Sequence, residues 1–207
     1  MATSLDKSKQ MDMAGLALKV KDVDLSGNMD VTGSLAVTGN ITTASAIMTP
    51  AAGITTDADV YGSSITRAGD LITTRILIDL TDLVGSTTDL DIIGKSAVAS
   101  HVGRVTTAVN GVIKAGQVTC LELPAGGVTD IDFYSATVAT GAENVDVTTL
   151  TETILITAGG AWTNGASKAF TTVPPADDYL YIVNGAAGVP GTFTAGKFLI
   201  ELIGQAA

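Results

Sequence analysis

Residues 23–41 repeat with a period of six. The hexads are Val23-Asp24-Leu25-Ser26-Gly27-Asn28, Met29-Asp30-Val31-Thr32-Gly33-Ser34 and Leu35-Ala36-Val37-Thr38-Gly39-Asn40, with Ile41 opening a fourth. Apolar residues hold the first and third places, so they share one face of an extended chain. Gly27, Gly33 and Gly39, each followed by Asn or Ser, supply turns, because these residues accept positive φ at little cost. Each hexad therefore encodes a strand of about three residues, which has no independent stability. Short repeats become stable by stacking, and one chain offers too few copies to bury the stripe. Pooling the segment from several chains repairs the deficit. The expected result is an oligomerising stalk, trimeric in its simplest form. Val23, Leu25, Met29, Val31, Leu35, Val37 and Ile41 would meet in its core, with Asp24, Ser26, Asp30, Thr32 and Thr38 outside. An ordinary three-stranded meander on a single globular domain is the alternative for the same pattern.

The remainder of the chain reads as β structure. Hydrophobic residues make up 46% of the 207 positions and charged residues 15%, which excludes a disordered chain. Val, Ala, Thr and Gly dominate, the usage of packed strands. Residues 1–22 form a polar arm with a little apolar surface at Met11, Met13, Leu16 and Leu18. Residues 42–70, rich in Thr, Ala, Gly and Ser and broken at Pro50, read as a linker or collar. There Ile47, Met48 and Ile54 are available to cap the stalk. From Leu71 to the C-terminus the spacing of apolar runs predicts eight to ten strands. They cover Leu71–Leu80, Thr88–Ile93, Val98–Val109 with Val112-Ile113, Gln117–Leu123, Val128–Val138, Thr151–Thr157, Lys168–Val173, Tyr179–Val183 and Phe193–Ile203. Asn110-Gly111 between apolar runs is a hairpin signal, Asn164-Gly165 a turn, and Pro174-Pro175 an extended break. The expected fold is all-β, with 71–207 forming a sandwich, jelly-roll-like in its long connections. The last strand is apolar on both faces, which fits a central strand or one covered by a neighbouring subunit.

Charge and cysteine usage narrow the function. The net charge is −10 and the Lys and Arg residues are scattered, so no nucleic-acid partner is expected. No apolar run approaches the ~18 residues that span a bilayer, so no membrane partner is expected either. Met1–Gln10 lacks the apolar core of a signal peptide, which points to synthesis in a cytoplasm. Cys120 is the single cysteine and reads as a small apolar filler.

The hexads resemble repeats of phage fibre and spike proteins. The segment from Asp178-Tyr179-Leu180-Tyr181-Ile182-Val183-Asn184-Gly185 through Gly191-Thr192-Phe193-Thr194-Ala195-Gly196-Lys197-Phe198 resembles the C-terminal signature of small structural proteins of tailed phages. That resemblance implies a trimer with β-rich lobes, located on the virion. Its implied role is to decorate and cement the capsid, bound to the major capsid protein, after synthesis in the host cytoplasm. A tail fibre or spike that binds a host receptor is the alternative of the same chemistry. A carbohydrate-binding or carbohydrate-active β-sandwich is the alternative of another class.

Catalytic chemistry finds little support in the residues. His101 is the single histidine, beside Ser100, and no Gly-x-Ser-x-Gly elbow occurs, so no Ser/His pair is expected. Paired acids at Asp79/Asp82, Asp89/Asp91, Asp130/Asp132 and Asp177/Asp178 offer oxygens, but without EF-hand spacing. Trp162 serves either as a ligand contact or as loop packing. No enzyme activity, cofactor or metal is expected.

Overall fold

Alternation decides which residues are buried along the first strong apolar run. In Leu71–Asp79, Ile72, Thr74, Ile76 and Ile78 are buried, while their neighbours face away from the core. In a computed structural model of the chain the described residues are 48–54, 61–157, 160–188 and 190–207. The chain divides into Met1–Thr43 and Ala44–Ala207, and every described residue belongs to the second unit. The arm and the hexads lie outside the described residues.

Strands account for most of the described secondary structure. They are β1 (Tyr61–Ala68), β2 (Leu71–Asp79), β3 (Val84–Gly85), β4 (Gly103–Arg104), β5 (Val112–Ala125), β6 (Ile131–Ala136), β7 (Glu152–Ile156), β8 (Ser167–Ala169), β9 (Tyr179–Asn184), β10 (Gly191–Thr192) and β11 (Ala195–Gln205). A single helical turn, α1 (Thr107–Asn110), and a 3-10 turn at Val147–Leu150 complete the set. A five-stranded sheet has the order β1-β2-β11-β5-β8, and a four-stranded sheet the order β4-β9-β6-β7. All pairings are antiparallel. The all-β class is therefore observed.

The main core joins the two sheets. Phe198, Ile200 and Leu202 of β11, Ile76 and Ile78 of β2, and Val118 and Cys120 of β5 form one cluster with Ile131 and Phe133 of β6, Leu155 of β7 and Leu180 and Ile182 of β9. Phe198 lies 5.5 Å from Phe133 and 5.3 Å from Trp162, ring centre to ring centre, both in edge-to-face geometry. A second cluster covers the opposite side of the four-stranded sheet. There Tyr134, Ala136, Tyr181 and Val183 pack with Ile92, Val147 and Leu150. Strands β6 and β9 are consequently buried on both faces, which explains their unbroken apolar runs.

The C-terminal strand is central. Lys197–Gln205 pairs with Leu71–Asp79 on one side, and β11 pairs with Val112–Ala125 on the other. Close approach at its end requires glycine: a Cβ on Gly204 would lie 1.8 Å from the Asn110 carbonyl oxygen.

Three sequence expectations differ from what is observed. Thr88–Ile93 is not a continuous strand but a loop touching β9 through the isolated bridge Ile92–Val183. Positive φ at Leu90 breaks the extended geometry that a strand needs. Val98–Val109 keeps only Gly103–Arg104 as strand and then turns into α1. Thr106 caps that turn, its Oγ1 accepting from Val109 N–H at 3.3 Å while Asn110 Oδ1 accepts from Thr106 N–H at 2.9 Å. Asn110-Gly111 thus ends a helix rather than a hairpin, with Gly111 at φ 71. The stretch 42–70, read as linker or collar, supplies β1 to the sheet, and its Met48 and Ile54 are buried in the main core.

Removing the Phe198 ring leaves a cavity between the sheets. Phe198→Ala is expected to destabilise the protein by about 3–5 kcal/mol, measured as a fall in the urea unfolding midpoint.

Candidate interaction surface

The register of the five-stranded sheet dictates what its second face carries. Along β2 the outward residues are Leu71, Thr73, Arg75, Leu77 and Asp79. On β11 their partners are Gln205, Ile203, Glu201, Leu199 and Lys197. On β5, Val112, Ala115, Gln117 and Thr119 stand beside Gln205, Ile203, Glu201 and Leu199. Ala169 and Ser167 of β8 continue the rows, and Ala68, Thr66, Ser64 and Gly62 of β1 flank them. Small side chains thus frame Leu71, Leu77, Leu199 and Ile203. Leu71 and Leu77 are 49% and 39% exposed, so among the described residues nothing packs over them.

Every charge on this face that β2 and β11 carry is paired within it. Arg75 Nε donates to Glu201 Oε1 at 2.9 Å, and Gln117 Nε2 donates to Glu201 Oε2 at 2.6 Å. Both hydrogen bonds hold the Glu201 carboxyl below its ordinary value. Lys197 Nζ reaches Asp79 Oδ2 at 2.9 Å and Glu122 Oε2 at 3.1 Å, and those two contacts raise its ammonium value. Burial pushes the Asp79 carboxyl up, but hydrogen bonds from Thr81 and Lys197 outweigh it and leave the value lowered. Beside the Arg75–Glu201–Gln117 group runs a shallow groove of about 420 Å³ lined by Thr73, Arg75, Ala115, Gly116, Gln117, Ala169, Glu201 and Ile203.

The other candidates have structural surroundings. Val23, Leu25, Met29, Val31, Leu35, Val37 and Ile41 lie outside the described residues. The Ser100 hydroxyl donates to the Val98 carbonyl at 2.8 Å rather than to His101. The His101 ring lies 4.8 Å from that of Tyr179, tilted by 52°, and meets the edge of Tyr181 at 6.3 Å. Its Nδ1 is buried without a hydrogen-bond partner, and burial pulls its imidazole below the ordinary value. Trp162 is buried against Phe133 and Phe198, and its Nε1 donates to the Ile131 carbonyl at 2.8 Å. Cys120 is fully buried, and burial raises its thiol.

The paired acids do not converge. Asp177 pairs with Arg104 at 3.0 Å, Asp178 accepts from Ser135 at 2.8 Å and Asp91 from Ser86 at 2.5 Å. Burial raises the carboxyls of Asp130 and Asp178. Among the described residues no group of three or more His, Cys, Asp or Glu side chains is placed to hold a metal ion. Nor is any helix among them long and apolar enough to cross a membrane.

One signal for the open face was present in the sequence, namely the two-sided apolarity of the last strand. The face itself became visible only with the register. Comparison with family models, curated proteins and solved structures finds no match to the chain.

The surroundings of His101 set a pH dependence. Because burial depresses its folded-state value, the unfolded chain binds the proton more readily. The stability supplied by the neutral ring is whole above about pH 6.5 and is lost as pH falls below it. The parent protein is expected to lose more stability than His101→Gln between about pH 7.5 and about pH 5, read as the shift of each urea midpoint. The buried carboxyls of Asp130 and Asp178, which act in the opposite direction, are common to both proteins and cancel.

Proposed function

We propose that the chain is a structural protein of a virus particle, a homotrimer that decorates and reinforces the head of a tailed phage. The hexads pool Val23, Leu25, Met29, Val31, Leu35, Val37 and Ile41 from three copies. Each copy carries a jelly-roll-like body. The observation that carries this reading is the uncovered face of the five-stranded sheet. Its charges are already paired and its leucines are exposed, which suits a surface that acts by being bound rather than by catalysis. Soluble single chains seldom leave a broad apolar face open. The sequence resemblance to small phage structural proteins supports the same reading.

The mechanism is mechanical. A trimer whose three bodies each touch the shell binds through several modest contacts at once, and the linked contacts multiply in strength. Each contact weights the assembled shell against the outward load of packed DNA.

The test is quantitative. In purified particles the protein is expected in fixed proportion to the major capsid protein. A few copies per particle would instead assign it to a fibre, and its absence would overturn the proposal. The isolated protein is expected to sediment at three times its 20.9 kDa chain mass. Placing Asp at Leu25 and Leu35 together is expected to dissociate the trimer, because a carboxylate buried in an apolar core lacks a partner.

A further inference from the structure

Charge is distributed unevenly over the described body. The strands of the five-stranded sheet carry five basic residues (Arg67, Arg75, Lys114, Lys168, Lys197) and three acidic ones (Asp79, Glu122, Glu201), a net of +2. The remaining described residues carry eleven acidic side chains, from Asp70 to Asp178, against Lys95 and Arg104 alone, a net of −9. Arg67 and Lys168 stand at inward positions, beside Ile72 and Val118, while on the outer face Arg75 and Lys197 are paired with Asp79, Glu122 and Glu201. Two copies that approach by this nearly neutral face meet less repulsion than two that approach by the acidic remainder.

The apolar surface follows the same division. Of the eight large apolar side chains exposed among the described residues, Leu71, Leu77, Val112, Leu121 and Leu123 lie on β2 and β5. The four-stranded sheet, by contrast, has its far side covered by the cluster around Ile92, Val147 and Leu150. The open face is also of the order of area that an interface takes. Five strands about 4.8 Å apart and about eight residues long present roughly 600 Å² in plan, before side-chain relief is added. A stable interface takes about 800 Å² from each partner.

We propose that the outer face of the five-stranded sheet is covered by neighbouring copies of this chain. In the trimer proposed above, each such face turns toward the common axis and meets both neighbours, so this assignment rests on that reading. Pairing within each face leaves Arg75, Lys197, Asp79 and Glu201 neutralised before contact. No unpaired charge is then desolvated when copies meet, and the leucines supply the attraction. The groove beside Arg75 and Gln117 receives side chains of the neighbouring face.

The experiment uses the full chain and measures mass against concentration by sedimentation. Leu77→Glu and, separately, Leu71→Glu place a charge on the face without touching the core, and circular dichroism confirms that each variant is folded. Each is expected to weaken association by at least about 100-fold, leaving single chains at concentrations where the parent is assembled. Ile154→Glu, at a position 45% exposed on β7 of the other sheet, is expected to assemble as the parent does. A folded pair of sheet variants that assemble as tightly as the parent overturns the assignment, and so does a parent that is a single chain. If the variants stay assembled but no longer bind particles, the face belongs to the shell and the second-copy assignment falls. Copy number in particles is read independently, so the decorating role can stand or fall apart from this result.

Discussion

The contact on which the body depends is the aromatic seal between its two sheets. Phe198 of the five-stranded sheet meets Phe133 of the four-stranded sheet and Trp162 from the loop between β7 and β8. Phe198 sits on the last strand of the chain, and that strand lies in the middle of its sheet. The sheet is therefore incomplete until residues 195–205 enter between β2 and β5. Both the pairing and the seal join residues far apart in sequence, a topology in which loop closure precedes most of the stabilising contacts. Edge-to-face rings add about 0.5–1.5 kcal/mol each to their burial.

The same arrangement makes the two sheets unequal. The four-stranded sheet is enclosed, with Tyr134 and Tyr181 held under the 3-10 turn and the 90–105 loop. There Tyr181 donates to the Val138 carbonyl at 2.6 Å and accepts from Gly141 N–H. Burial pushes its hydroxyl up to about 12, so it stays a neutral donor across the working range of a protein. The five-stranded sheet has one face in the seal and one left open. The open face combines short residues and paired charges with the exposed Leu71 and Leu77. Thr, Ser, Ala and Gly occupy the margins, and the long charged side chains neutralise one another.

How much of this was legible follows from the physics of each segment. β2, β5, β9 and β11 were readable because alternation or two-sided apolarity survives in the local sequence. β1 was not, because the positions it turns toward the core are Tyr61, Ser63, Ile65 and Arg67, a set with no apolar rhythm. Its strand character comes from the complete pairing with β2 across Gly69-Asp70. The broken run 88–105 carries β-branched residues in strand-like density, yet left-handed backbone at Leu90, Ser96 and Ala97 is set by what those loops must cover. Of the interaction face, Arg75 and Asp79 are legible as charges within the strand-like run Leu71–Leu80. That Lys197 and Glu201 lie opposite them is a matter of register, which one sequence does not reveal.

Electrostatics also separates the open face from the rest of the body. Asp79 and Glu201 are held ionised by their partners, whereas burial shifts Asp130 and Asp178 the other way. As pH falls, Asp130 and Asp178 therefore take up protons before Asp79 and Glu201 do. Salt acts unevenly as well. Screening over about 8–10 Å weakens repulsion between the dispersed acids of neighbouring copies more than contacts of about 3 Å within a face, since charges already in contact leave little room for intervening ions. In the proposed assembly the acidic surface resists association and the paired face of one sheet does not oppose it.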